Sequence, residues 1–178
     1  MSRIPTPATI EAAPVAAQPL LQAVKKQLGI VPNLFRLVSN SPAALEGYLG
    51  LFGALGKGAL PAATHERIAL AVAEINGCGY CLSAHTYLGK NFAKLDDAEI
   101  IANRNGSSND PKADAAVRFA ARVTQLRGHV SDGDLEAVKA AGYTEQQLVD
   151  ISLAIAVITF TNVFNRINNT ELDYSAVA

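Results

Sequence analysis

The two cysteines of the chain lie three residues apart, in the segment Cys78-Gly79-Tyr80-Cys81, and His85 follows four residues later. Two thiols at this spacing are within reach of a disulfide. A helix that begins near them exposes a thiolate to free backbone N–H groups and to the helix dipole, which lower its pKa. On such a helix His85 lies on the same face as Cys81, one turn further along. The segment predicts a redox-active thiol pair beside an imidazole that accepts or returns the thiol proton.

A carboxylate that can orient this imidazole precedes the first cysteine by twelve residues. Glu66 lies on the preceding predicted helix, and the glycines at 77 and 79 can fold that helix back against the next one. A nucleophile, a base and a group that orients the base form the usual activated constellation. We therefore expect Glu66 to approach His85, a contact that the spacing permits but does not establish.

The remaining titratable residues near the motif are weaker candidates. Glu74 is interpreted as a solvated or interface carboxylate, His65 as a surface residue and His129 as a histidine at a helix end or turn. The CxxC pair also has two other interpretations. It could be half of a zinc site, but there is no second pair and the histidines lack a standard finger spacing. It could be a structural disulfide, although so short a loop removes only about 2 kcal/mol of chain entropy.

Helical periodicity dominates the chain after residue 19, and no run alternates with a period of two. Ser41, Ser131 and Thr144 are predicted N-caps, and Gly29 ends the first helix. The last helix is apolar nearly all round, so we expect it to lie centrally, between helices of its own or a neighbouring subunit. The expected class is all-α. The predicted helices span residues 20–28, 33–38, 41–55, 65–75, 80–92, 96–103, 112–126, 131–142 and 144–167.

Composition sets limits on the class of protein. The chain has 178 residues, of which 49% are hydrophobic and 17% charged. Soluble proteins average roughly 25% charged residues, so this chain has little charge with which to cover the surface of a monomer. A homo-oligomer is therefore expected. Fifteen Lys and Arg against sixteen Asp and Glu leave no cationic excess for nucleic acid or an anionic membrane.

Residues 1–19 contain four of the eight prolines and are predicted to form a flexible or extended arm before a single domain over residues 20–178. The arm has no continuous apolar run of the kind that targets a chain for secretion. The longest apolar stretch, Ile151 to Phe160, falls short of the roughly 18 residues that span a bilayer. A soluble, cytoplasmic protein is therefore expected.

The spacing of Glu66, the CxxC pair and His85 resembles the E-x11-C-x-x-C-x3-H signature of AhpD-like alkylhydroperoxidases, in the carboxymuconolactone decarboxylase superfamily. Four matched residues at fixed spacing make this more specific than a lone CxxC. The likeness covers roughly Gly29 to Asp173 and favours the peroxidase-related branch. The segments that carry it, besides the motif, are Val31 to Phe35, Ser41 to Leu45, Arg67 to Val72 and Phe160 to Asn165.

The resemblance implies an AhpD-like helical fold, trimers or hexamers, and antioxidant, peroxiredoxin-type reduction of hydroperoxides without a cofactor or metal. By the same resemblance Cys81 is the peroxidatic thiol, Cys78 closes the disulfide, His85 relays a proton and Glu66 is its acidic partner. Tyr80, which stands where the founding member has a histidine, is also a candidate catalytic residue; a phenol can donate a hydrogen bond but is a poor base at neutral pH.

The resemblance also implies that a lipoyl-like or thioredoxin-like dithiol restores the cysteine pair. Two alternatives remain open: a non-catalytic oligomer that senses redox state through the cysteines, and an enzyme of the same fold that acts on another small substrate. Decarboxylase members of the superfamily lack the cysteine pair, so lactone decarboxylation is not expected.

Overall fold

A computed structural model describes residues 2–175, and within this range the chain forms nine α-helices and no strand. The all-α class predicted from the sequence is confirmed. A short 3-10 turn at Val15–Ala17 precedes the first helix. The helices are α1 (Gln18–Leu28), α2 (Asn33–Val38), α3 (Pro42–Leu55), α4 (Ala62–Ile75), α5 (Gly79–Asn91), α6 (Asp97–Arg104), α7 (Pro111–Gln125), α8 (Asp132–Ala140) and α9 (Glu145–Asn168).

The predicted capping residues determine most of these boundaries. Ser41 accepts a hydrogen bond from the backbone of Ala44 at the start of α3, and Ser131 and Thr144 form capping boxes. Gly29 ends α1 in the left-handed region, with φ of 78°, a conformation that costs glycine little. The largest error is at α4, which begins at Ala62, directly after Pro61, instead of at residue 65.

Helix α4 is the centre of the fold. It contacts α5, α6, α7 and α9, and its residues from Ile68 to Ala73 are all buried. A helix enclosed on several sides cannot rotate without disturbing each neighbour, since interiors are close-packed. The side chains that α4 presents near its N-terminal end, Glu66 among them, are therefore held at fixed positions relative to α5.

Helix α9 packs against α3, α4, α5 and α7 and buries Ile151, Ile155 and Ile158. By length and apolar composition it is also a candidate membrane span. Its packing against four helices is that of a core helix in a soluble fold. Phe160 and Val163, which lie on another side of this helix, are exposed.

The N-terminal arm has no helix between residues 2 and 14 and lies on the domain surface. Arg36 donates a hydrogen bond to the carbonyl of Pro7 at 2.6 Å, and Asn40 donates to that of Pro5 at 2.9 Å. Ala17, at the end of the arm, is completely buried. The arm is therefore docked on the domain through its backbone carbonyls, and its second half, residues 8–17, runs through bends and turns.

The polar loop at residues 105–110 is fixed by one buried carboxylate. Glu99 accepts hydrogen bonds from Ser108 Oγ at 2.5 Å and from the backbone of Asn109 at 2.8 Å. It also pairs with Arg67 on α4 at 2.7 Å and accepts from Asn103 at 2.9 Å. Burial alone raises the pKa of Glu99, but these hydrogen bonds outweigh it and lower the pKa to about 2. Glu99 thus joins α4, α6 and the loop.

Candidate redox site

The cysteine pair lies at the start of α5, as its spacing predicts. Cys78 is the N-cap of the helix, and its sulfur accepts a hydrogen bond from the backbone N–H of Cys81 at 3.2 Å. The two residues form a disulfide across a Cα–Cα distance of 5.3 Å. Both are almost completely buried, with exposures of 1% and 3%. Gly77, with φ of 64°, makes the left-handed turn that joins α4 to α5.

Helix α9 supplies the polar side chains around the Cys81 sulfur. Asn165 Nδ2 donates to this sulfur at 3.4 Å, and Thr161 Oγ1 lies 3.9 Å from it. The Thr161 hydroxyl also lies 2.9 Å from the Ile158 carbonyl, to which it can donate. The Asn165 amide is therefore a donor available to a Cys81 thiolate, and it is buried.

The motifs of the sequence do not identify Asn165 or Thr161 as functional residues. A signal is present, because Thr161, Asn165 and Asn168 are polar residues at helical spacing within an otherwise apolar helix. All three are buried. Buried polar groups need partners, so this stripe is the pattern by which the residues could have been found.

The expected contact between the carboxylate and the imidazole is present. His85 Nδ1 and Glu66 Oε2 are 2.7 Å apart, and both side chains are partly buried. In a neutral imidazole that donates from Nδ1, Nε2 is the basic nitrogen. Because His85 follows Cys81 by one helical turn, the residue spacing puts the imidazole on the cysteine's face of α5. The geometry suits a base that is oriented by a carboxylate.

Tyr80, between the cysteines, has a different set of partners. Its hydroxyl donates to Asp173 Oδ2 at 2.6 Å and accepts from the backbone N–H of Leu34 at 3.2 Å. Burial, together with the bond to Asp173, raises the pKa of Tyr80 above its ordinary value. Since a phenol has one proton to donate, this hydroxyl is already committed to the segment that follows α9. The structure does not bring it together with His85 and Glu66.

The weaker candidates lie outside this cluster. Glu74 pairs with Arg104 at 2.6 Å, and His129 is exposed in the turn after α7. His65, expected at the surface, is partly exposed, but its Nε2 is buried and has no hydrogen-bond partner among residues 2–175. Burial lowers the pKa of His65, which favours the neutral ring. Across the same residues, no group of three His, Cys, Asp or Glu side chains is arranged to hold a metal ion.

An open cleft of about 420 Å³ lies beside the cysteine pair. Cys78, Gly79, Asn165, Arg166 and Leu172 contribute to its lining. A larger cleft of about 640 Å³ runs between α7 and α8 and is lined by none of the residues of the cysteine and histidine cluster. The smaller cleft is the one that leads to the redox pair.

Solved structures with this helical arrangement define an AhpD-like fold. A peroxidase-related protein with an alkylhydroperoxidase AhpD core, from Ralstonia eutropha JMP134, superposes with a TM-score of 0.85 at 24% identity, covering 97% of this chain and 92% of its own. A peroxidase-related protein from Silicibacter sp. TM1040 gives a TM-score of 0.82 at 21% identity, covering 96% and 91%. The debrominase Bmp8 gives 0.80 at 20% identity, covering 96% and 92%.

Residues 42–125 match the model of the carboxymuconolactone decarboxylase family. Together with the AhpD-like fold, this match confirms the resemblance inferred from the sequence. The comparison with curated proteins gave no match. A Cys-to-Ala variant of Bmp8 was solved in complex with 2,3,4-tribromopyrrole.

Proposed function

We propose that this protein is a cytoplasmic, thiol-dependent peroxidase that reduces hydroperoxides through a Cys81 sulfenic acid and a Cys78–Cys81 disulfide. The observation that carries the proposal is a cysteine pair with an amide donor at the Cys81 sulfur and a carboxylate-paired histidine one helical turn further along α5. The Asn165 amide donates to the Cys81 sulfur, His85 follows one turn along α5, and Glu66 holds the imidazole from α4 at 2.7 Å. The AhpD-like fold supports peroxidase chemistry.

In the first step the Cys81 thiol transfers its proton to His85 Nε2, and Glu66 stabilises the resulting imidazolium. The side-chain amide of Asn165, which donates from Nδ2, and the amino end of α5 stabilise the thiolate. The thiolate attacks the terminal oxygen of the hydroperoxide, the O–O bond breaks, and the alkoxide takes the proton from His85. Cys81 leaves this step as a sulfenic acid, and the alkoxide leaves as an alcohol.

In the second step the Cys78 thiol attacks the sulfenic acid sulfur. Water leaves and the Cys78–Cys81 disulfide forms. The pair lies at the Cα–Cα distance that a disulfide requires. An external dithiol then returns two electrons and two protons, which restores both thiols.

The test is steady-state consumption of cumene hydroperoxide or hydrogen peroxide with a panel of dithiol reductants. We expect turnover by the wild-type protein and none by Cys81→Ser. The matched variant Cys78→Ser is expected to lose turnover but to form one sulfenic acid per chain, which a dimedone label detects. Turnover by Cys81→Ser would refute the proposal. A wild-type protein that forms the disulfide but does not turn over with any dithiol would instead be a redox sensor.

We also propose that the protein is a homo-oligomer, a trimer or hexamer. The support is an apolar stripe on α9, where Phe160, Val163 and Ile167 are 39%, 50% and 59% exposed. Phe52 of α3 is also exposed, and both it and Phe160 contact the buried ring of Tyr48. An exposed apolar patch of this kind marks an interaction site.

A second candidate is an enzyme of the same fold that uses the cysteine pair on another small substrate. The debrominase neighbour favours this alternative, because its variant was solved with a halogenated pyrrole. Release of bromide from 2,3,4-tribromopyrrole in the presence of a dithiol, without peroxide turnover, would favour it over the peroxidase. Peroxide turnover without bromide release would exclude it.

A further inference from the structure

We propose that the cleft beside the cysteines is the entry site for the reducing thiol, and that Cys78 is the sulfur it attacks while Cys81 is the sulfur that leaves. The inference rests on the proposed function, since it assigns the reductive half of that cycle. Both cysteines are almost completely buried, so the first question is how the thiolate of a reductant reaches one of the two sulfurs.

The cleft gives access to Cys78 rather than to Cys81. Cys78 and the two glycines on either side of it line the cleft, whereas Cys81 does not. A Cβ atom built on Gly79 would meet no heavy atom within 4 Å, so the space in front of this part of the motif is open. Cys81 instead faces Asn165 and Thr161 of α9. Thiol–disulfide exchange depends on which sulfur can be reached.

Charge in the cleft favours an incoming thiolate. The guanidinium of Arg166 lines the cleft, and Nη1 lies 3.7 Å from where a Cβ atom of Gly77 would be. Nη1 also donates to the Asn76 carbonyl at 2.6 Å, which holds the guanidinium beside the turn before Cys78. A positive charge fixed beside the turn before Cys78 attracts an anionic nucleophile into the cleft.

Two oxygen atoms of the lining residues can accept hydrogen bonds from the part of the reductant that lies beyond its sulfurs. Asn165 Oδ1 and Thr170 Oγ1 are buried and have no hydrogen-bond partner among residues 2–175. Both residues line the cleft and are more than nine-tenths buried. Unpaired buried acceptors are costly, and a dithiol that carries an N–H or O–H donor near its sulfurs can satisfy them. The ligand class is therefore a small dithiol with a polar arm.

The disulfide is reduced by an ordinary thiol–disulfide exchange. The reductant thiolate attacks Cys78 Sγ, the Cys78–Cys81 bond breaks, and its electron pair goes to Cys81 Sγ. Asn165 Nδ2 stabilises this thiolate, and His85, one turn away, supplies its proton. The second thiolate of the reductant then attacks the reductant sulfur bound to Cys78. This releases Cys78 as a thiolate and the reductant as its own disulfide.

The test needs no peroxide, because a general oxidant such as diamide forms the disulfide. The wild-type protein is treated with 2-mercaptoethanesulfonate, quenched with an alkylating agent and analysed by tandem mass spectrometry. We expect the thiol adduct on Cys78 and the alkyl group on Cys81; an adduct on Cys81 would overturn the inference. Since this protocol is independent of peroxide turnover, failure of the peroxidase proposal does not affect it.

Reduction kinetics with dithiothreitol provide a second readout. Leu172→Trp places a large ring in the cleft at a residue that is already 43% exposed, and Ile101→Trp is the matched control at an exposed site outside it. We expect Leu172→Trp to be reduced roughly tenfold more slowly than Ile101→Trp, because access governs the exchange. Arg166→Gln should also slow reduction by 2-mercaptoethanesulfonate, and Arg166→Lys should preserve it. Equal rates for the two tryptophan variants would overturn the inference.

Discussion

Replacing Glu99 by glutamine tests whether one buried carboxylate stabilises the helix that carries Glu66. Glu99 is 6% exposed and accepts hydrogen bonds from Arg67, Asn103, Ser108 and Asn109. Its pKa is about 2 in the folded protein, against an ordinary value of about 4.3. A difference of roughly two units, at about 1.4 kcal/mol each, corresponds to about 3 kcal/mol of stability.

The direction of the pH dependence follows from the lowered pKa. The carboxylate binds fewer protons in the folded than in the unfolded state, so its contribution is fully present above about pH 5. It is lost as the pH falls from there through about 2. Glu99→Gln keeps the shape of the side chain but removes the charge. We therefore expect the variant to be about 3 kcal/mol less stable at pH 7, with the difference shrinking in acid.

The assay is urea unfolding followed by circular dichroism, at pH 7 and at steps down to pH 3. Glu136→Gln, on the exposed side of α8, is the matched control and should change the free energy of unfolding by less than about 0.5 kcal/mol. The amide that Glu99→Gln introduces also faces groups that donate, which adds a cost that does not depend on pH. The diagnostic quantity is therefore the slope of stability against pH. Identical slopes for Glu99→Gln and the wild type would refute the reasoning.

Three further predictions concern the site and its assembly. Glu66→Gln should lower kcat/KM for hydroperoxide roughly 10- to 100-fold, because it removes the carboxylate that stabilises the His85 imidazolium. In a His85→Ala background the same change should have almost no further effect, and a double-mutant cycle measures this. Tyr80→Phe should destabilise the fold by about 1–3 kcal/mol, because it removes the hydrogen bonds to Asp173 and Leu34; thermal unfolding measures this loss. The turnover of the folded variant should stay within about threefold of wild type. Val163→Glu should reduce the oligomer to a smaller species in size-exclusion chromatography with light scattering, because an interface buries charge at high cost, whereas Val15→Glu, at a residue that is 81% exposed, should leave the mass unchanged.

Local signals in the sequence predict the helices well. Ser41, Ser131 and Thr144 cap helices through contacts with residues three positions away, and Gly29 ends one through its own backbone conformation. Such signals are complete within a few residues, so a single sequence displays them. The start of α4 is placed three residues late, because the helix already begins directly after Pro61.

The site is predictable where its parts share one helix or a fixed spacing. Cys78, Cys81 and His85 lie within eight positions, and the contact of Glu66 with His85 requires only that two consecutive helices pack. The roles of Asn165 and Glu99 are not predictable in this way because their partners lie far away in the chain. Asn165 contacts a residue 84 positions away, and Glu99 pairs with one 32 positions away. The burial of the Nε2 atom of His65 could not be predicted for the same reason, since it depends on tertiary packing.

The carboxylate of Asp173 also bears on how the redox pair is assembled. It accepts from Tyr80, 93 positions earlier, and from the backbone of Asn33, 140 positions earlier. Contacts of such separation form late, because the loops that they close are costly to order. During synthesis the cysteine pair emerges well before Asn165 and Asp173 exist to surround it. A chain released early would carry a dithiol without its amide donor or its anchored tyrosine, so the chemical environment of the cysteines reports that the whole domain has folded.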